Sequence, residues 1–362
     1  LVLGGLVLAR HISSIDNFRA IAIILVVAVH CMPYGMSVDS GPWLVFQNLI
    51  YGATAAFVFI SGYMYHHVFF NQKTPYIEFL SSKFRNVLLP YLLLGTGAIF
   101  LLYISKAGFF SGEELFEGKT IFNTDDHALI IIGKYYLSGR MLTAYWYVPF
   151  VVMLFSMAPL HDRFLVVRRK YKLLIIFTLS LVSMLVHRSY ENTNPLQMLI
   201  YFTPYYLIGM YVSLYRTSLA SNAKIKSPLF LSLAIALAIY DASIGHQGNY
   251  IKPLTTYNGI DTMYLQKVCL VVGIYFLLEA FPFKIGWLSF LAKISFSVFF
   301  IHPWVLTVMK RTPLYQHANG LQADIVLFLT VLILVVTLSM LIAVCFKRAL
   351  KNSHYSKAVI GY

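Results

Sequence analysis

Charge is scarce in this chain. Of 362 residues only 12% are Asp, Glu, Lys or Arg, about half the share of a soluble domain. Acidic residues are scarcer still, 14 against 28 basic ones. With 59% hydrophobic side chains and a mean hydropathy of +0.72, no charged surface offsets the apolar mass. A water-soluble enzyme is excluded. Cysteine is nearly absent: Cys31, Cys269 and Cys345 stand singly in or beside hydrophobic runs, with no metal spacing and no disulfide framework. Short alternating segments between turn clusters are missing too, which excludes a membrane β-barrel. What fills the chain instead is continuous apolar blocks, such as residues 23–29 and 325–343. The fold class is all-α, a polytopic integral membrane protein.

Ten hydrophobic segments, hence about ten transmembrane helices, stand near 15–32, 44–65, 87–104, 145–160, 173–186, 196–214, 229–240, 263–281, 285–308 and 325–346. The formal charge of +14 does not indicate nucleic acid, because the cations sit in alternate short connections rather than on one face. Lys73, Lys83 and Arg85 lie in the second connection, and Arg163, Arg168, Arg169, Lys170 and Lys172 in the fourth. Arg216, Lys224 and Lys226 lie in the sixth, Lys284 in the eighth, and Lys347, Arg348, Lys351 and Lys357 in the tail. The other connections are acidic or mixed, as at Glu113, Glu114, Glu117, Asp125 and Asp126. Both termini are therefore expected to be cytoplasmic. The expected organisation is a short cytoplasmic segment (1–14), a membrane domain (15–346) and a basic cytoplasmic tail (347–362). The chain opens at Leu1 rather than Met, so native residues before it are expected to be missing or replaced. Two long loops, 105–143 and 242–261, are assigned to the outer face, the first with an amphipathic stretch at 129–137.

Ionisable residues inside a membrane segment are costly and point to function. The first segment has three: Asp16, Arg19 and His30. Arg19 and His30 are eleven positions apart, about three helical turns, so they share a face at roughly 16 Å separation. Asp16 precedes Arg19 by one turn and can pair with it. Between the cation and the imidazole the same face offers Ile23, Val26 and Val27, an apolar track. The ninth segment repeats the pattern, with Ser295 and His302 two turns apart and Pro303 expected to loosen the backbone at His302. His30 and His302 are placed at comparable depth, and two imidazoles at one depth suit proton transfer.

Other residues carry less information alone. Ser61, Gly62 and Tyr63 close the second segment, where Gly62 would admit a ligand or simply another helix. Lys83 and Arg85 precede Leu88-Leu89-Pro90-Tyr91 and would suit a phosphate-bearing ligand or serve only as topology signals. Trp146 and Tyr147 lie at the outer end of the fourth segment, either as aromatic anchors or as a platform for a sugar. No His, Cys and carboxylate cluster suggests a metal.

Taken in order, these residues resemble the membrane acyltransferase 3 family. The first-helix stretch Asp16-Asn17-Phe18-Arg19 through His30 is similar to its signature, including ten residues between Arg and His. Phe57–Tyr63 matches a phenylalanine-rich stretch ending in Ser-Gly-aromatic, Lys83–Tyr91 a basic motif before Leu-Pro-Tyr, and Trp146 with Pro149 an aromatic motif. Ser295–His302 matches a serine-to-histidine motif in which Phe296 and Phe299 stand for the usual tyrosines, so no phenol can act there. The matches cover about 80% of the chain. The resemblance implies an acyl-CoA-dependent O-acyltransferase, usually an acetyltransferase, acting on an extracytoplasmic glycan or glycolipid, with no permanently bound cofactor. Membrane lipids would be further partners. It implies His30 as base, with Arg19, Asp16 and His302 also catalytic. Lys83, Arg85, Ser61, Gly62 and Tyr63 would contact the donor, and Trp146, Tyr147 and Ser295 the acceptor. The competing class is an exporter or flippase of a surface glycan, which would also keep intramembrane His, Asp and Arg. No inverted repeat favours it.

Overall fold

The computed structural model describes residues 12–36, 41–105, 127–312 and 324–350, together with residue 359. The acidic residues Glu113, Glu114, Glu117, Asp125 and Asp126, the tail cations Lys351 and Lys357, and nearly all of the 1–14 segment lie outside them.

The first apolar segment is α1 (Ser13–Cys31). The second is broken into α2 (Pro42–Ile50) and α3 (Thr54–Met64), and α3 runs on through a π-helical turn at Tyr65–Phe70. Gly52, at φ 77°, makes the break, and Lys267 Nζ donates to the carbonyls of Asn48 (2.6 Å) and Leu49 (2.9 Å) at the end of α2. A buried lysine thus satisfies acceptors that a helix end would leave bare in a membrane. The third segment begins before its hydropathy does, with α4 (Tyr76–Lys83), a π-helical turn (Phe84–Leu88) and α5 (Leu89–Ser105). The amphipathic stretch is α6 (Ala128–Ser138); it buries Ile131 and Tyr135 and exposes Leu129, Ile130 and Leu137. The fourth segment bends by 58° between α7 (Tyr147–Ser156) and α8 (Ala158–Val166).

The second half holds α9 (Arg169–Val186), α10 (Pro195–Leu214), the short α11 (Arg216–Ala220) and α12 (Ala223–Ser243). It ends with α13 (Thr262–Ala280), α14 (Gly286–Met309) and α15 (Ile325–Ala349). Side-chain caps start three of these helices: Asn194, Asp261 and Asp324 accept backbone N–H groups of the first turn. A parallel two-residue pairing joins β1 (Arg188–Ser189) to β2 (Ile251–Lys252).

Among the described residues, seven helical stretches are long and apolar enough to cross a bilayer, eight if the bent α7–α8 pair is one span. The two remaining apolar segments of the sequence reading are α9 and α10, of 18 and 20 residues. They are more polar: α9 opens with Arg169, Lys170 and Lys172, and α10 carries Tyr201, Tyr205, Tyr206 and Tyr211. The chain is an all-helical polytopic membrane protein. Exposed leucine and phenylalanine on α9, as at Leu174, Phe177 and Leu185, are the side chains such a protein presents to lipid.

Packing of α1 against α3, α13 and α14 sets the interior. Helices α3 and α10 approach at backbone distance. A Cβ on Gly62 would stand 1.9 Å from the Tyr206 carbonyl oxygen, and one on Gly209 2.0 Å from that of Phe59. Small residues that let helices meet this way are the membrane substitute for a hydrophobic driving force. One expectation is corrected here. Pro303 does not loosen the chain at His302, because α14 continues through both residues. The missing proline N–H falls within an otherwise helical ladder supported by the neighbouring helices.

Candidate functional site

The two ends of α1 open into separate cavities. At the Arg19 end a cavity of about 350 Å³ is lined by Arg19, Ser61, Lys83, Asn86, Tyr147 and Ser295, among others. Asp16, one turn earlier, acts electrostatically on Arg19. Lys83 reaches this cavity from the end of α4, its ammonium held over the rings of Phe69 (4.6 Å), Phe79 (5.2 Å) and Phe155 (4.9 Å). Cation–π contacts of this kind hold a charge in place without neutralising it. Ser295 Oγ donates to the Ala292 carbonyl (2.9 Å), which fixes its oxygen at the cavity wall. Helices α1, α3, α4, α7 and α14 each contribute, so the site exists only when the bundle is assembled.

At the other end a cavity of about 460 Å³ is lined by His30, Tyr51, Thr143, Gln247, Leu306 and Lys310, among others. His30 is half-buried, and its Nδ1 lies 3.2 Å from Thr143 Oγ1. His302 is fully buried behind it, with ring centroids 5.5 Å apart. A carbonyl can only accept, so the 2.9 Å contact makes His302 Nδ1 the donor to Val298. Its Nε2 then carries the lone pair, and that atom is buried without a hydrogen-bond partner. The two imidazoles therefore meet as expected from their depth on α1 and α14.

The cavities have no lining residue in common. Ile23, Val26 and Val27, expected to form an open track between them, are packed into the core at 0%, 6% and 0% exposure. On the α14 side Phe299 fills the interval, touching Tyr147 (5.4 Å between centroids) and His302 (6.1 Å).

Several residues singled out by sequence lie elsewhere. Arg85 is exposed and does not line the Arg19 cavity. Residues two apart on a helix do not face the same way. Asn86, three beyond Lys83, takes the place Arg85 was expected to fill, a spacing that was readable in advance. Gly62 faces α10, and Tyr63 packs against Tyr275 and His67. Tyr147 lines the Arg19 cavity, whereas Trp146 stacks on Phe150 and Phe202 and lies under the Arg188 guanidinium (4.9 Å).

Sequence reading missed that arginine. Arg188 is buried at the β1 pairing, donates through Nη2 to Asn192 Oδ1 (2.9 Å), and leaves Nε without a partner. Burial lowers its pKa, while Tyr201 and Asp261 oppose the shift. Burial also pushes the Asp261 carboxyl up to about 7, against the hydrogen bonds it accepts from Tyr264 N–H and Tyr201 Oη–H. Arg188 and Lys310 both act on His30 electrostatically, so the imidazole pair sits in a positive field. Thr143, Gln247, Lys310 and Arg188 all come from loops or helix ends, where no periodicity marks a functional position. Lys293, the third cation at the Arg19 cavity, was missed as well, although it lies inside the apolar helix α14. Among the described residues, no group of His, Cys, Asp or Glu is placed to hold a metal ion.

A histidine at one cavity with a second imidazole packed behind it, and three cations at another, could serve two different substrates within a single helical bundle. No curated protein and no solved structure matches the chain. A family profile described as an acyltransferase domain, that of acyltransferase 3, matches residues 12–344, and this membrane protein belongs to that family.

Proposed function

We propose that the chain moves an acyl group, acetyl in the simplest case, from acyl-CoA at the cytoplasmic side to a hydroxyl of an extracytoplasmic glycan or lipid-linked saccharide. The membrane would be a bacterial inner membrane, with both chain termini in the cytoplasm. The observation that carries the reading is His30, at a cavity separate from the one holding Arg19 and Lys83, with the buried His302 ring 5.5 Å behind it. Alternating basic connections assign the Arg19 end to the cytoplasm, where an anionic nucleotide thioester is available. Charge-assisted contacts to Arg19 and Lys83 would hold its phosphates.

In the tautomer that donates Nδ1–H to Thr143 Oγ1, His30 Nε2 carries the lone pair and serves as the base. It takes the proton of the acceptor hydroxyl as that oxygen attacks the thioester carbonyl. The tetrahedral intermediate collapses with loss of the thiolate, which recovers the proton from the imidazolium. Lys310 and the buried Arg188 supply positive charge for the oxyanion. His302, hydrogen-bonded to the helix backbone and closed off from the cavity, orients His30 rather than touching substrate. Trp146, held beneath Arg188, shapes the acceptor side of the site.

The test is label transfer in oriented proteoliposomes, with radiolabelled acyl-CoA inside and a panel of glycans outside. Label in the glycan supports the proposal. A requirement for both substrates on one face would overturn the through-membrane part, and glycan movement without label would favour the exporter. Lys83→Ala should raise the KM for acyl-CoA about tenfold, the loss of roughly 1.4 kcal/mol. Arg85→Ala should leave it near the wild-type value, since Arg85 does not line the Arg19 cavity.

A further inference from the structure

A third cavity, of about 530 Å³, opens at the Arg19 end of the bundle, and nothing described above uses it. Its walls include Tyr65, Phe69, Tyr76 and Phe79, with Lys73 and Arg163 among the lining residues. We propose that it receives the nucleotide end of the acyl donor: the adenine between the rings, and the ribose phosphate at Lys73 and Arg163. The donor then lies across Lys83, with its thioester arm in the Arg19 cavity. This inference rests on the acyl-CoA reading and deepens it.

Three observations support the placement. The first is continuity. Phe69 and Phe79 line the third cavity, Phe155 and Lys83 line the Arg19 cavity, and the Lys83 ammonium sits over all three rings. Phe79 and Phe155 touch edge to face at 5.9 Å. The two cavities thus share one aromatic wall with a cation set in it, where a diphosphate bridging them would pass. Of the two, the third cavity is the larger, at about 530 Å³ against about 350 Å³.

The second is chemistry. Flat aromatic walls suit a purine, which stacks on any ring face presented to it. Tyr65 Oη–H donates to Asp162 Oδ1 (2.6 Å), which holds a carboxylate at the cavity with its second oxygen available to an exocyclic amine. The third is backbone conformation. Lys73 has φ 50°, a region that favours glycine. It stands where the helix ends, with Lys73 N–H bonded to the Phe70 carbonyl and Thr74 N–H to that of Phe69 (3.0 Å each). Glycine is the ordinary residue at such a stop. A lysine there is held against the backbone preference, and its side chain lines the cavity.

The experiment compares Lys73→Gly and Arg163→Gln with the wild type in proteoliposomes, using acyl-CoA, acyl-dephospho-CoA and acyl-pantetheine as donors. Glycine relieves the backbone at position 73, so loss of folding does not confuse the result. Each variant should raise the KM for acyl-CoA about tenfold, the size of a lost charge-assisted contact. The ratio of acyl-CoA to acyl-dephospho-CoA efficiency should fall toward one. An equal effect on all three donors, or none on acyl-CoA, would overturn the subsite. Calorimetry with adenosine 3′,5′-bisphosphate reads the same site without turnover. Binding to the wild type that weakens about tenfold in Lys73→Gly supports it, and no binding to the wild type rejects it. If wild-type protein binds this nucleotide yet transfers no acyl group, the activity reading fails while the subsite stands.

Discussion

His30→Ala should transfer acyl groups 10²- to 10⁴-fold more slowly than the wild type, the range a lost general base produces. The protein should insert normally and bind acyl-CoA with unchanged affinity. His30 is half-buried at a cavity and joined to Thr143 by one contact, so its truncation removes little packing. The measurement is single-turnover transfer alongside donor binding. Near-normal turnover would remove His30 from the chemistry. His302→Ala gives the complementary result. Because His302 is bonded to the α14 backbone and sealed from the cavity, its loss should lower kcat, leave the donor KM in place and move the pH profile of kcat/KM. A merely structural histidine would lower the amount of active protein without moving that profile.

The largest effect on stability is expected at the crossing of α3 and α10. Gly62→Val would drive a branched side chain into the Tyr206 backbone, where even a Cβ would stand 1.9 Å from the carbonyl oxygen. Side chains can yield by changing rotamer, but two backbones in contact can separate only if the helices part. Overpacking an ordinary core costs about 1–3 kcal/mol, and a clash against backbone should exceed that. Gly62→Val and Gly209→Val should therefore give little monodisperse protein on extraction, read by size-exclusion profile and thermal melting. Gly133→Ala is the control. A Cβ there meets nothing within 4 Å, and alanine is the better helix former by about 1 kcal/mol. A Gly62→Val protein that melts like the wild type would show that α3 and α10 do not meet in this way.

The membrane class, the apolar segments and the comparable depth of His30 and His302 were legible because each can be read along a single helix. Arg19 and Lys83 reached one cavity for the same reason. Arg85 was grouped with Lys83 by nearness in sequence, although the helical repeat turns it away from the cavity that Lys83 lines. Trp146 and Tyr147 were assigned together, yet adjacent positions at a helix start point apart, one toward Arg188 and one toward Arg19. Arg188, Thr143, Gln247 and Lys310 could not be found from sequence, since loops bring them to His30 through long-range contacts that leave no local pattern. The two segments of the ten that do not reach span-like apolarity are α9 and α10. Tyrosine-rich α10 and cation-bearing α9 are long enough in residues, but less apolar than their neighbours.

The Phe299–Tyr147 contact between the two cavities has a consequence for the membrane itself. Water-accessible hollows that approach each other from opposite faces shorten the insulating layer, and the bilayer's resistance to protons then depends on whatever stands between them. Here that is a short stack of rings and valines, and the α14 motif supplies phenyl groups at Phe296 and Phe299 where a phenol could hand a proton along. Phe299→Ala should leave vesicles that lose an imposed pH gradient faster than wild-type vesicles, as followed with an enclosed dye. Under the proposed reading, a thioester would have to pass this stack of rings without opening a path for ions.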